Sequence, residues 1–142
     1  DLLLVNLKLL GVHDADLTRL PEYCQLVADA CQIPLTNSYP VVGRDAFRTG
    51  TGVHAAAIVK AEEKGDAWLA DRIYSGIPAS MVGRTQEIEI GPLSGLSNVR
   101  AWLGAHGYDP TDPESLRVLF DAAKLSDHTL RHEEIRSLLE AS

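Results

Sequence analysis

The chain opens on Leu2, Leu3, Leu4, Val5, Leu7, Leu9 and Leu10, an apolar run whose spacing suits a helix or a buried strand, and Gly11 stops it. Further on the period is clearer. Leu20, Cys24, Val27 and Cys31 recur at intervals of three and four, which predicts a helix with Thr18 as N-cap, Pro21 in its first turn and Pro34 past its end. The stretch "LTNSYPVVGRDAF" has turn chemistry and predicts an extended connection. An alanine-rich helix follows from about Val53 to Lys64, closed by Gly65, and then a short one over "DAWLADRIY". "SGIPASMVGR" reads as loop, and "TQEIEIG" alternates like a strand with Ile88 and Ile90 on one face. "LSNVRAWLGAHG" predicts a helix with Val99, Trp102 and Leu103 inward and Gly104 or Gly107 at its end. Asp112 is a good N-cap, with Pro113 opening "PESLRVLFDAAKL", and "HEEIRSLLEA" is the last helix. The pattern is therefore mainly α, about six helices with one or two short strands. A single strand cannot pair alone, so its partner is expected in the loops, in a second subunit or in protein outside this sequence.

Composition narrows the class. At 142 residues, 45% hydrophobic and 23% charged, the chain has the make-up of a folded domain. A formal charge of −7 argues against nucleic acid and anionic membrane surfaces as partners. No apolar run approaches the roughly 20 residues that cross a bilayer, and no signal peptide pattern stands at the start. Cys24 and Cys31 lie two helical turns apart, about 10 Å by helix rise, too far to be bridged. They are expected as reduced, half-buried core thiols of a cytoplasmic protein.

Candidate chemistry centres on "FRTGTGVHAAAIVKAEEKG". A glycine-rich turn feeding a helix start can present a side chain or backbone N–H groups to a ligand, and it is also an ordinary way to begin a helix. His54 is accordingly either a capping or packing residue or a proton-transfer group, since imidazole titrates near neutral pH. His13, His106, His128 and His132 stand among charges or at helix ends and read as solvated. No His-x-His, His-Glu-x-x-His, calcium loop, nucleophile elbow or dinucleotide fingerprint is present. Tyr74, before Ser75-Gly76, reads as a core aromatic with its hydroxyl at the surface, and Trp68 and Trp102 as packing residues.

"LPEYCQLVADACQIPLTNSYPVVGRDAFRTGTGVHAAAIVKA" resembles the segment of 2-isopropylmalate synthases in which a helix leads through "VG-x-x-AF" to an "SG-(I/V)-H" turn. "IYSGIPASMVGRTQEIEIGPLSGLSNV" is similar to the following segment, where a tyrosine precedes "VGR" and an "SG-x-SN" helix start. The likeness extends to the wider group with homocitrate and citramalate synthases. It implies the end of a (β/α)8 barrel plus small helical subdomains: barrel-terminal helices and connection over 1–46, a first subdomain over 47–84, and a second with a short strand over 85–142. The implied reaction is a Claisen condensation of acetyl-CoA with a 2-oxo acid, 2-oxoisovalerate in leucine biosynthesis, followed by thioester hydrolysis.

By that likeness His54 and Tyr74 are the catalytic residues, for proton handling and hydrogen-bond donation. Thr51 and Arg84 contact substrate, Arg84 meeting an anionic group unless it is a salt bridge tying its loop to the next strand. The resemblance further implies a divalent metal, Mg or Mn, held on the barrel and not by this segment. It also implies a homodimer whose subdomain reaches over the neighbouring barrel. This chain reads "RTGTG" where many such synthases have "HESG" or "HKAG", so a usual charged residue is replaced. With the barrel's metal ligands missing, the segment alone is expected to be inactive. The rival reading is a non-catalytic helical module for dimerisation or docking, and a third is a small-molecule sensor built on the glycine turn.

Overall fold

The computed structural model describes residues 1–141. Among them are seven α-helices, a 3-10 turn at Ala79–Val82 and two very short strands, so the fold is mainly α as the pattern predicts. The chain forms two compact units, each from two stretches: Asp1–Phe47 with Tyr74–Gln86, and Arg48–Ile73 with the chain from Glu87 onward.

In the first unit the opening apolar run is helix α1 (Leu2–Leu9), and Gly11 leaves it in the left-handed region. Only Val5 of α1 is fully buried. Helix α2 (Leu20–Cys31) starts at Arg19, with Pro21 in its first turn. The expected cap Thr18 instead donates its amide to the Asp16 carboxylate at 2.9 Å. The buried row of α2 is Leu20, Cys24 and Ala28, each four residues on from the last. Val27 and Cys31 fall outside that row, so Cys31 is an exposed free thiol where a half-buried one was expected. Leu17, Val42, Phe47, Ala79 and Val82 complete this core.

The second unit supplies the partner the lone strand needed. Strand β1 (Arg48–Thr49) pairs in parallel with β2 (Glu87–Ile88), Arg48 opposite Glu87 and Thr49 opposite Ile88. The Arg48 guanidinium spans the pair, donating to Glu87 at 3.0 Å and Glu89 at 2.8 Å. Helix α3 (Gly52–Glu63) packs on α4 (Ala67–Ala70) and α5 (Leu96–Ala105), α5 on α6 (Pro113–Leu125), and α6 on α7 (His132–Glu140). Ile90, Val99, Trp102, Leu103, Leu116, Leu119, Ala123 and Ile135 form the core. Trp102 packs as expected, and His106 stacks on it with ring centroids 3.9 Å apart. Trp68 does not pack inward. It is 66% exposed, with the Arg72 guanidinium 4.5 Å above its ring, because α4 is a single turn that buries only Ala70.

Among the described residues the fully buried polar side chains are Ser94 and Asn98, and no buried side-chain N or O lacks a partner. Asn98 donates from Nδ2 to the Glu89 carbonyl at 2.9 Å and accepts the Gly95 amide at 3.1 Å, joining the end of β2 to the start of α5. Truncation removes the partner of the part-buried Gly95 amide and leaves the Glu89 carbonyl only its longer contact with Ser94, so Asn98→Ala is expected to lower stability by about 1–3 kcal/mol in urea unfolding. At the far end of the unit the Asp112 carboxylate accepts the Ser115 amide at 2.8 Å as the N-cap of α6. Hydrogen bonds from Ser115 hold its pKa below the ordinary 3.8. A depressed carboxylate stabilises while ionised, so this cap is fully present above the unfolded value and lost as pH falls through the folded one. Amide protection factors in the first turn of α6 should fall below about pH 4, and Asp112→Asn should flatten that dependence.

Candidate functional site

The first turn of α3 carries His54 and is set by three successive anchors. Glu89 donates its amide to the Thr49 carbonyl at 2.9 Å, Ser94 donates its hydroxyl to the Gly50 carbonyl at 2.7 Å, and Gly52 donates its amide to the Leu93 carbonyl at 3.0 Å. The glycine at 52 is a packing requirement. A Cβ there would lie 2.9 Å from the Gly95 amide nitrogen, so only glycine lets the start of α3 approach the start of α5 this closely. First-turn amides of two helices therefore stand side by side, each the positive end of a helix.

Thr51 is the N-cap residue of α3, in extended backbone, yet its side chain makes no capping bond; its hydroxyl lies 3.5 Å from that of Thr49. His54 is the third residue of the helix and half-buried. It stands four residues before Ile58, on the edge of the seam that Ala55, Ile58 and Ala61 bury. The imidazole thus emerges from a first turn whose backbone is pinned on the side facing the 89–95 segment.

Tyr74 and Arg84 belong to the first unit. Tyr74 is 60% exposed and has φ of +58°, a conformation bulky side chains rarely adopt and one that collects at functional positions. The expected core aromatic is instead a surface tyrosine held in a strained turn. Next to it, Gln86 donates its side-chain amide to the Ser75 hydroxyl. Arg84 donates to the carbonyls of Gly43 at 2.6 Å and Arg44 at 3.0 Å, and its guanidinium lies 5.3 Å over the Phe47 ring. It thereby clamps the "VGRDAF" turn through backbone carbonyls. Gly83 before it has φ of +69°, and a Cβ would come within 2.5 Å of the Thr18 carbonyl oxygen. The "VG-x-x-AF" and "VGR" motifs are thus parts of one packed junction.

His54 and Thr51 are brought together at the start of α3, and Tyr74 and Arg84 in the other unit. Ser94 and Asn98 were not singled out by chemistry, although they lie inside the "SG-x-SN" motif; a polar residue three positions past a glycine helix start was the available signal. Among the described residues no three His, Cys, Asp or Glu side chains group to hold a metal ion, and no helix is long and apolar enough to cross a membrane.

Gly52→Ala forces two backbones apart. It is expected to cost about 1–3 kcal/mol in thermal or urea unfolding and to shift the amide resonances of Gly95 and Ser94 in the NMR spectrum.

No family model matches the chain. Several characterised or named proteins do. Homocitrate synthase of Pyrococcus horikoshii is 30% identical over 116 residues, which is 82% of this chain and 29% of that protein. (R)-citramalate synthase of Aquifex aeolicus is 32% identical over 80% of this chain and 20% of its own length. A probable 2-isopropylmalate synthase of Ignicoccus hospitalis is 31% identical over 85% of this chain and 29% of its own. The chain spans less than a third of these relatives. They bear out the resemblance drawn from the sequence, over a segment-sized match.

Proposed function

We propose, from this chain's kinship with the homocitrate, citramalate and 2-isopropylmalate synthases, that it is the accessory part of an acetyl-CoA-condensing synthase active site. Removing an acetate unit from the three product names leaves 2-oxoglutarate, pyruvate and 2-oxoisovalerate, so the co-substrate class is a 2-oxo acid. Within that class our reading is 2-oxoisovalerate, the leucine-pathway substrate. The observation that carries the proposal is His54 on a turn pinned at Thr49, Gly50 and Gly52 beside two helix N-termini.

The chemistry asks for such a group. A base removes a proton from the acetyl methyl, and the resulting enolate carbon attacks the keto carbon of the 2-oxo acid. The new alkoxide takes up a proton, and water then cleaves the thioester to release CoA. His54 is assigned the proton transfers. The strained, exposed Tyr74 is assigned as hydroxyl donor to the oxygens that gather charge. Thr51 offers a hydroxyl not used for capping. Arg84 offers a guanidinium already oriented by Gly43 and Arg44 to an anionic substrate group. The divalent metal, Mg or Mn, that the resemblance implies would be held on the barrel, where it would bind the 2-oxo acid. The site is completed in a homodimer, where the segment serves a neighbouring barrel.

The rival, a docking module without chemistry, is favoured by one observation: the outward faces of α1 and α2 leave Leu3, Leu10, Tyr23 and Leu26 exposed. One assay separates the two. In the complete synthase, CoA release is followed with acetyl-CoA and each of the three 2-oxo acids. His54→Ala is expected to lower kcat by about a hundredfold or more, and Tyr74→Phe by at least about tenfold, with unchanged melting temperatures. Unaltered turnover in both variants would leave the docking reading.

A further inference from the structure

Strand pairing ends one residue too early for the turn that carries His54. β1 and β2 are in register at Thr49 and Ile88, and the Glu89 amide still reaches the Thr49 carbonyl. Beyond Glu89 the chain turns back on itself, with the Ser94 amide bonded to the Gly91 carbonyl at 2.9 Å. The next carbonyl of the turn, that of Gly50, has therefore lost its strand neighbour. Ser94 takes the neighbour's place. Its hydroxyl, on a residue only 2% exposed, donates to Gly50 at 2.7 Å and accepts the Gly91 amide at 2.9 Å, with the Glu89 carbonyl at 3.2 Å from the same oxygen. From outside, Lys124 Nζ holds the carbonyls of Pro92 at 2.9 Å and Ser94 at 2.6 Å, fixing the segment that presents the hydroxyl.

We infer that Ser94 is a positioning residue for the condensation chemistry: through the Gly50 carbonyl it sets the first turn of α3 and hence the place of the His54 imidazole. The inference rests on the reading of His54 given above. Of the three anchors on the turn, those at Thr49 and Gly52 are backbone to backbone and survive any side-chain change. Ser94 alone contributes by its side chain, so it alone can be removed by substitution. Gly50 is followed by the N-cap Thr51, and His54 comes three residues later on a rigid helical turn. A displacement at Gly50 is therefore carried to the ring, and a misplacement of about 1 Å in a reacting group can cost about a hundredfold in rate.

The test is a double-mutant cycle in the complete synthase with Ser94→Ala, His54→Ala and the pair, reading kcat and KM for acetyl-CoA alongside thermal melting. Ser94→Ala is expected to lower kcat by about tenfold or more with little change in KM, as a group acting in the transition state does. In the His54→Ala background the same change should cost less than about threefold, because the group it positions is gone. Full additivity of the two losses would overturn the inference, as would a Ser94→Ala enzyme with a lower melting temperature but normal kcat. If His54→Ala itself leaves kcat intact, the assignment of His54 fails first, which is a different result. Should Ser94→Ala not fold, Ser94→Cys keeps a donor at this position, though a bulkier and weaker one. It should then give an intermediate kcat, and wild-type turnover from it would equally overturn the inference.

Discussion

Two backbones can touch only where neither carries a side chain that intervenes, and the meeting of Gly52 with Gly95 is such a contact. Much of the second unit depends on it. It allows α3 and α5 to pack from their first turns onward, with Ala55 and Val99 both at zero exposure. It brings the 49–52 turn within hydrogen-bond reach of residues 89–94, so that the Thr49 and Gly50 carbonyls and the Gly52 amide find partners there. A burial this polar is stable only when every donor and acceptor is matched. Ser94 and Asn98 supply the matches that backbone alone leaves open.

Helices were legible wherever local chemistry decided them. Asp112 with Pro113, and glycines 11, 65 and 107 just past helix ends, act within a few residues, and the structure has them as caps or positive-φ stops. What escaped was decided at a distance. The partner of β2 is a two-residue strand thirty-nine positions earlier, too short to show any alternation. The outward turn of Cys31 depends on whether Val27 or Ala28 joins the buried row of α2, a rotation of one residue that the spacing leaves open. Trp68 looked like core by residue type alone, but a one-turn helix offers it no second layer to pack under.

Of the candidate site, the sequence offers the residues but not their supports. The histidine turn, the tyrosine and the arginine could be named from motif likeness. That Tyr74 stands at positive φ, or that Arg84 holds backbone carbonyls 40 residues away, follows only from the folded path. The same holds for the glycines of the motifs. Gly43, Gly52 and Gly83 each face a backbone atom that a Cβ would strike, which explains their identity more directly than flexibility would. Residues that look like recognition marks in a motif are here largely the means by which chain segments approach one another.

The replacement of a strand neighbour by one hydroxyl also sets the length of the turn. Each bond pairs atoms at a set spacing along the chain, backbone to backbone at Thr49 and Gly52 and through one side chain at Ser94. An insertion or deletion between Glu89 and Ser94 would put the hydroxyl opposite the wrong carbonyl, whereas the Thr49 and Thr51 side chains take no part in these bonds. In such a turn the length is fixed more tightly than the side chains that stand on it.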